Sequence, residues 1–247
     1  MSTNPRSAPD PIPSTDPVAI VTGGSAGLGL ELARALVRRG WTVVVDGRRV
    51  DRLQGAVAEL AGEPGTGRAV GVVGDVTDPG HRAELVRTAA GLGAVRLLVN
   101  NASTLGTSPL RPLVDVDADV LTRTFATNVV APLALVAGFA PHLGDGAVIV
   151  DVSSDAAVEP YETWGPYGAS KAALDHATRV LAAEHPTWRV LAVDPGDMRT
   201  EMHHDAFPGE DISDRPLPSA VVPGLLALIE GDQPSGRHQV PVDPTAA

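Results

Sequence analysis

Cysteine is absent from this chain of 247 residues, and aromatic residues make up only 3% of it. The first absence excludes disulfides, thiolate catalysis and cysteine-ligated metal sites. The second means that Val, Leu and Ala must build the core, as they do in parallel sheets covered by helices. Basic residues are also few, with 19 Lys and Arg against 30 Asp and Glu and a net charge of −11. This charge argues against a nucleic-acid partner or an anionic membrane surface.

Long apolar runs are lacking as well. No stretch approaches the length needed to cross a membrane, so we expect no membrane partner and a cytoplasmic protein. Residues 1–17 are rich in Pro and Ser and have no hydrophobic segment of the kind found in secretory signals. We predict a disordered tail at 1–17 and a single domain at 18–247, a length that suits one α/β domain. The abundance of Ala, Val, Arg and Gly is typical of a high-GC bacterial source.

Short apolar runs alternate with segments of helical periodicity along the domain, which indicates an α/β fold. We predict strands at 18–21, 42–46, 69–73, 96–99, 147–152, 188–193 and 238–242. The predicted helices lie at 30–39, 50–61, 79–90, 117–143, 169–184 and 219–230. Pro132 is expected to kink the long fourth helix. Loops are predicted at 104–114 and 201–218.

The first predicted strand runs into the glycine-rich segment TGGSAGLG at residues 22–29, and a helix follows. A strand, a glycine turn and a helix form the context of a dinucleotide-binding turn. There Gly23 would permit a tight turn, Gly27 would let the backbone approach a pyrophosphate, and Gly29 would let helix and strand pack closely. A loop that only connects two elements is the alternative, because the spacing is G-x-x-x-G-x-G rather than G-x-G-x-x-G.

The end of the second strand bears on the choice of cofactor. An acidic residue just past this strand holds the ribose 2′-hydroxyl of NAD, whereas arginine pairs with the 2′-phosphate of NADP. Gly47 stands where we expect the ribose contact, and Arg48 and Arg49 follow it. We therefore predict a preference for NADP(H), although Asp46 leaves NAD(H) possible. The two arginines are equally suited to begin an exposed helix.

Three later segments carry polar residues at positions that could face a ligand. Asp75 follows the third strand and can accept a hydrogen bond from an adenine amino group or cap the next helix. Asn101, Ala102 and Ser103 follow the fourth strand, where they can lie against a flat cofactor or stabilise the turn. Asn128 lies in an apolar stretch of the long helix and needs hydrogen-bond partners if it is buried.

Tyr167 and Lys171 stand four residues apart at the start of a helix, and Ser154 follows the strand at 147–152. Four residues are about one helical turn, so both side chains project from one face. Free tyrosine titrates at about 10, and a nearby ammonium group favours the phenolate, which suits general acid–base catalysis. The alternative is an ordinary surface helix, because a Tyr and a Lys at this spacing often occur by chance.

Taken in order, these motifs resemble those of the short-chain dehydrogenase/reductase superfamily in its single-domain branch. The matching pieces are TGGSAGLG, Asp75-Val76, NNAS ending at Ser103, Asn128, Ser154, YGASK at 167–171 and PGDMRT at 195–200. The resemblance implies a doubly wound Rossmann sheet of seven mostly parallel strands with helices on both faces. It also implies an NAD(P)-dependent redox reaction on an alcohol or carbonyl, and a homodimer or homotetramer.

The resemblance further implies roles for single residues. Tyr167 would be the catalytic acid–base, Lys171 would hold the nicotinamide ribose and lower the pKa of Tyr167, and Ser154 would hydrogen-bond the substrate oxygen. Asn128 would organise a proton-relay water. Ser103 departs from the glycine that is usual in the family and places a side chain near the cofactor, and the C-terminus lacks the frequent D-G-G ending. The implied cofactor contacts are Thr22, Gly23, Ser25, Gly27, Leu28, Gly29, Arg48, Arg49, Asp75, Val76, Asn101, Ala102, Ser103, Tyr167, Lys171, Pro195, Gly196, Met198 and Thr200.

We therefore predict an NADPH-dependent carbonyl reductase that acts on a small-molecule carbonyl compound or the matching alcohol, without a metal. An NAD-linked alcohol dehydrogenase is one alternative, and a non-redox or cofactor-sensing dinucleotide-binding protein is another. His203 and His204 lie near acidic residues, but adjacent side chains in a loop seldom converge on one ion. Asp155, Glu159, Tyr161 and Glu162 lie near the expected pocket mouth and favour a polar or cationic substrate, although acids in a chain of net charge −11 need no such explanation.

Overall fold

A computed structural model describes residues 17–240 of the chain and shows one seven-stranded sheet. The strands are β1 (Pro17–Val21), β2 (Thr42–Gly47), β3 (Arg68–Val73), β4 (Ala94–Asn100), β5 (Leu143–Val152), β6 (Arg189–Asp194) and β7 (Gly236–Gln239). Every strand pair is parallel, and the strand order is β3-β2-β1-β4-β5-β6-β7. The chain winds outward from β1 in one direction and then from β4 in the other, so the predicted doubly wound Rossmann fold is confirmed.

Helices cover both faces of this sheet, and successive residues of each strand face opposite sides. The helices are α1 (Gly27–Arg38), α2 (Val50–Ala61), α3 (Pro79–Leu92), α4 (Ala118–Phe125), α5 (Ala131–Phe139), α6 (Gly165–Glu184), α7 (Glu201–Ala206) and α8 (Pro218–Glu230). In β1, Ala19 and Val21 pack into one core with α1, α2 and α8, whereas Val18 and Ile20 pack into a second core with α3 and α5.

The long helical region is irregular close to the place where the kink was predicted. A π-helical segment, Ala126–Val130, separates α4 from α5 and contains Asn128, and Pro132 follows it in the first turn of α5. The N–H group that proline lacks would bond the carbonyl four residues earlier, which is that of Asn128, so the irregularity takes the form of a π-helical segment. One extra residue per turn is a feature that often accompanies functional sites.

The same region corrects a second expectation. Ala118–His142 spans 25 residues and is apolar enough to cross a membrane by length and composition alone. Within the fold it behaves as a core helix, because Leu135, Val136 and Phe139 are buried against the sheet. A buried helix of a globular domain passes the same test of length and composition.

Several boundaries also differ from prediction, among them the starts of β5 at Leu143 and of α6 at Gly165, each four residues earlier than predicted. The segment 201–218 is not all loop, because its first part forms α7. Pro17, predicted to end a disordered tail, begins β1. The rest of the predicted tail, and the end of the last predicted strand at 241–242, lie outside the described residues.

Candidate active site

The glycine turn lies at the carboxyl end of β1, which is next to β4 in the sheet. The strand order changes direction between these two strands, and sheets of this kind bind ligands at that switch point. Thr22 Oγ1 accepts hydrogen bonds from the backbone N–H groups of Asn101 and Ala102, both at 3.0 Å. In return the Asn101 side chain donates to the Thr22 carbonyl at 2.8 Å. These bonds fasten the two strand ends together, so Thr22 positions the turn and is itself only 2% exposed.

Two glycines in this turn have no room for a side chain. Gly23 adopts φ 64°, and a Cβ there would come within 3.0 Å of the Ala102 Cα. A Cβ on Gly29 would lie 2.5 Å from Asn101 Nδ2 and 2.7 Å from the Gly23 carbonyl oxygen. Helix α1 begins just after the turn, and its N-cap residue, Ala26, offers no side-chain cap. The first N–H groups of α1 are therefore available to an anion such as a pyrophosphate.

A cavity of about 1010 Å³ begins at this turn and extends along the carboxyl ends of the strands. Most predicted site residues line it, including Ser154, Tyr167 and Lys171. Four predicted residues do not line it: Thr22, Gly29, Arg49 and Asn128. The predicted residues that do are Gly23, Ser25, Gly27, Leu28, Arg48, Asp75, Val76, Asn101, Ala102, Ser103, Ser154, Tyr167, Lys171, Pro195, Gly196, Met198 and Thr200.

Two arginines, Arg48 and Arg52, line one end of the cavity beside the acidic Asp75 and Glu201. Arg48 lines it, whereas Arg49 turns away and pairs with Asp51 at 3.0 Å. Arg52, one helical turn further on, also lines the cavity and forms an ion pair of 2.6 Å with Glu201 at the start of α7. Sequence reasoning missed Arg52, although its spacing of four residues from Arg48 across a helix start was a usable signal.

Asn128 is saturated with hydrogen bonds and only 1% exposed. Its Oδ1 accepts from Ser103 Oγ at 3.1 Å and from the Thr104 N–H at 2.9 Å. Its Nδ2 donates to the Thr104 carbonyl and to Ser170 Oγ, both at 2.9 Å. The residue thus ties the turn after β4 to helix α6. Ser103, expected to add a group beside the cofactor, directs its hydroxyl to Asn128.

Tyr167 and Lys171 lie on the first turns of α6, and both are buried, with exposures of 8% and 2%. Lys171 Nζ donates to the Val152 carbonyl at 2.6 Å and lies 5.4 Å from the centre of the Tyr167 ring. Burial lowers the pKa of Lys171 to about 8, while Asp151 and Asp175 act to raise it. Asp151 lies under this pair and accepts from Asn100 and Thr178.

The pKa of Tyr167 is raised overall in this structure rather than lowered as expected. Burial raises the pKa of Tyr167 well above its ordinary value, hydrogen bonding by Ser154 acts against it, and Asp194 and Asp155 raise it further. The cause is that the phenol has little water around it and more carboxylates than cations nearby. At neutral pH the hydroxyl is therefore protonated and can give up a proton.

Ser154 is the partly exposed member of the Ser153-Ser154 pair. Its hydroxyl donates to Asp155 Oδ1 at 3.0 Å and accepts from the Ala156 N–H at 3.2 Å. Ser153 is only 2% exposed and accepts from Arg237 at 2.9 Å. The structure therefore leaves Ser154 as the serine that can turn to a substrate, provided that it releases Asp155.

The end of the cavity near Tyr167 has aromatic and acidic walls. The Trp164 ring lies 5.6 Å from the ring of Tyr167 and 5.9 Å from that of Phe207, measured between centres. Tyr161 donates to Asp155 at 2.8 Å. Other acidic side chains here have basic partners, such as Asp194 with Arg237 at 3.1 Å. Within residues 17–240, Asp155 and Glu162 have no such partner, although both line the cavity.

Comparison with known proteins agrees with this geometry. Residues 17–211 match the profile of the family described as short chain dehydrogenase. The chain belongs to the short-chain dehydrogenase/reductase superfamily. Members of this superfamily with curated descriptions include dehydrogenase/reductase SDR family member 4 of Bos taurus, which is 37% identical over 198 residues, 76% of this chain and 68% of that protein. Sepiapterin reductase of Xenopus laevis is 35% identical over 202 residues, 76% of each chain.

Solved structures of the superfamily show the same fold. The short chain dehydrogenase from Shigella flexneri superimposes with a TM-score of 0.83 and 27% identity over 95% of both chains. A dehydrogenase/reductase from Sinorhizobium meliloti gives a TM-score of 0.79 and 28% identity, covering 95% of this chain and 96% of that one. As a member of this superfamily, the protein is an NAD(P)-dependent oxidoreductase.

Proposed function

We propose that this chain is an NADPH-dependent reductase of small ketones or aldehydes, able to run the reverse oxidation. The observation that carries the proposal is the convergence of Ser154, Tyr167 and Lys171 on the cavity that starts at the glycine turn. A protein that only senses a dinucleotide would not need a buried phenol, a buried ammonium and a hydroxyl on one wall. This disfavours the non-redox alternative.

The residues of the glycine turn and of the cavity next to it fit a dinucleotide. The turn at Gly23 and Gly29 has no space for side chains, the start of α1 is uncapped, and Arg48 and Arg52 supply positive charge beside it. Pro195, Gly196 and Met198 line the cavity between the turn and Tyr167, where they would hold the nicotinamide. When bound, the cofactor supplies the hydride, and the protein supplies position and electrostatics.

Side chains of this protein supply the proton and the hydrogen bonds that the reduction needs. A carbonyl oxygen placed beside Tyr167 and Ser154 becomes negative as its carbon is reduced, so donors aimed at it lower the barrier. Ser154 donates a hydrogen bond once its hydroxyl leaves Asp155, and Tyr167 Oη transfers its proton to the oxygen. Lys171 then stabilises the phenolate. A screen of carbonyl compounds and alcohols with NADPH and NADH tests the proposal, which fails if every compound leaves both cofactors unconverted.

The arginine that we expect to matter for cofactor preference is Arg48. Replacing Arg48 by Ala should weaken NADPH binding by about 1.5–3 kcal/mol and NADH binding far less, since a guanidinium–phosphate pair is a charge-assisted contact. Arg49→Ala is the matched control, because it removes the same charge one residue away from a side chain that pairs with Asp51. Fluorescence titration with both reduced cofactors measures the effect. Equal losses for NADPH and NADH in Arg48→Ala would contradict this role.

The uncompensated carboxylates near Tyr167 predict how the enzyme treats charged substrates. We compare a methyl ketone that carries a trimethylammonium group three methylenes away with the same ketone carrying tert-butyl or carboxylate there. We expect kcat/KM to be about tenfold higher for the cationic ketone than for the tert-butyl ketone, and about tenfold higher for the tert-butyl ketone than for the carboxylate. The reason is that Coulomb attraction and cation–π contact favour the cation. Glu162→Gln should shrink these ratios. Glu159→Gln, an exposed carboxylate outside the cavity lining, should leave them intact.

We also propose a homodimer or homotetramer. Val130, in the π-helical segment, is 56% exposed and Val180, on α6, is 43% exposed, which leaves apolar surface on the two helical regions expected to form an interface. Light scattering at micromolar concentration should give a multiple of the 25.4 kDa chain mass. A monomer mass would contradict it. The cytoplasmic location and the bacterial source stay predictions from composition.

A further inference from the structure

Asp46, at the carboxyl end of β2, stands beside the expected ribose site, yet its side chain is turned into the protein and is 2% exposed. Its Oδ1 accepts from the Gly23 N–H at 2.6 Å. Its Oδ2 lies 2.9 Å from His81 Nε2, and because a carboxylate can only accept, the imidazole donates. Both oxygens of Asp46 are thus engaged, one by the glycine turn and one by helix α3.

His81 is held as firmly as its partner. It is 4% exposed, and a Cβ on Gly74 would come within 2.2 Å of its Nδ1, so the ring fills the space over that glycine. Nδ1 is buried and has no hydrogen-bond partner among residues 17–240. A buried ring that satisfies only one of its two nitrogens is costly, and that cost is offset by the bond to Asp46.

We propose that His81 is a specificity-determining residue, which holds the Asp46 carboxylate inward so that the ribose end of the cavity accepts a 2′-phosphate. The inference rests on the proposed preference for NADPH. His81 acts through Asp46 and is a positioning residue, since it does not line the cavity.

The physical reason lies in what a free Asp46 would do. An acid at the end of this strand accepts hydrogen bonds from ribose hydroxyls, which favours NAD, and its charge repels a 2′-phosphate. Asp46 borders the cavity together with Gly47 and Arg48. Without His81, the carboxylate would lose one of its two anchors and its only imidazole partner. It would then oppose Arg48 and weaken the discrimination that the arginine provides.

The test is the ratio of the dissociation constants for NADH and NADPH, measured by fluorescence titration on the full chain without substrate. His81→Leu should lower this ratio at least about tenfold, since the Asp46 carboxylate loses the donor that holds it inward and its negative charge can approach the phosphate. His81→Gln should retain most of it, because the Gln amide can donate from a similar position. Adding Asp46→Asn to His81→Leu should restore it, since the charge is gone.

Several outcomes would overturn the inference. An unchanged ratio in a folded His81→Leu protein would do so, as would a double variant that keeps the defect of His81→Leu. If circular dichroism shows that His81→Leu does not fold, His81→Asn is tested in its place, and we expect the same fall in the ratio of dissociation constants. The ratio of the unaltered protein is read separately. If that protein binds NADH more tightly, the proposed cofactor preference fails, whereas the coupling of His81 to Asp46 is still judged by how the ratio changes.

Discussion

Tyr167→Phe is expected to lower turnover by about 10²–10⁴, the range that a positioned general acid contributes. The change removes only a hydroxyl group, and the ring keeps its edge-on contact with Trp164. Because the hydroxyl does not take part in the bonds that shape the glycine turn, the affinity for NADPH should stay nearly normal. Steady-state kinetics on a substrate from the screen, with cofactor affinity measured separately, gives both quantities.

Tyr161→Phe is the matched control for this variant. Tyr161 is the only other tyrosine in the chain, and it lines the same cavity. Its replacement by Phe likewise removes one hydroxyl group, in this case one that bonds to Asp155. We expect its effect on turnover to be much smaller than that of Tyr167→Phe. Near-normal turnover in Tyr167→Phe, with NADPH still bound, would contradict the assignment of Tyr167 as the general acid.

Lys171→Ala is expected to harm cofactor binding and turnover together. The ammonium group lies beside Tyr167 and is proposed to hold the nicotinamide ribose, so its loss removes a contact and leaves the phenolate without a cation. We expect kcat/KM to fall by at least about 10²-fold. Lys171→Met, which fills more of the space left by the buried side chain, separates this effect from a loss of stability. A variant that lost neither affinity nor turnover would contradict the role.

The pKa of Lys171 sets a pH dependence whose sign can be worked out. Its folded-state pKa of about 8 lies below the ordinary value of 10.5, so the ammonium is lost as pH rises past about 8. The reductase activity of the free enzyme should therefore decline above that pH. Between about 8 and 10.5 the unfolded chain holds more protons at this site, so the free energy of unfolding gains a contribution that rises with pH.

This titration can be observed directly. Lys171 is the only lysine in the chain. Carbon-13 labelling of lysine therefore gives a single side-chain Cε signal, whose chemical shift follows the charge of this one group. We expect a midpoint near 8 in the protein alone. A midpoint near the ordinary 10.5 would show that burial does not disfavour the ammonium, and the alkaline decline would need another cause.

Much of the fold followed from local patterns. The glycine turn, the alternation of apolar runs with helices, and the bounds of α2 were all predictable, since each depends on residues close together in the sequence. The π-helical form of the irregularity was not, because Asn128 within it bonds to Ser103 and Ser170, which lie far away in the chain. The sequence indicated only that Pro132 would disturb the helix.

The site residues could be named from motifs, but their states could not. The pKa of Tyr167 depends on burial and on carboxylates from two separate segments, of which only the one with Asp155 is near Ser154 in sequence. Asp46 left NAD possible because the sequence gives the residue type and not the direction of its side chain. The side chain points inward to His81, which lies 35 residues away, and only the tertiary structure brings the two residues together.

The central claim is that this cavity reduces a carbonyl with NADPH, with Tyr167 as the acid. The most direct measurement uses NADPH deuterated at the transferable position of the nicotinamide, a ketone from the screen, and mass spectrometry of the alcohol. The account predicts one deuterium on the carbinol carbon with the unaltered enzyme, and product formation slowed about 10²–10⁴-fold with Tyr167→Phe at saturating cofactor. Equal rates of deuterated product from both proteins would contradict it.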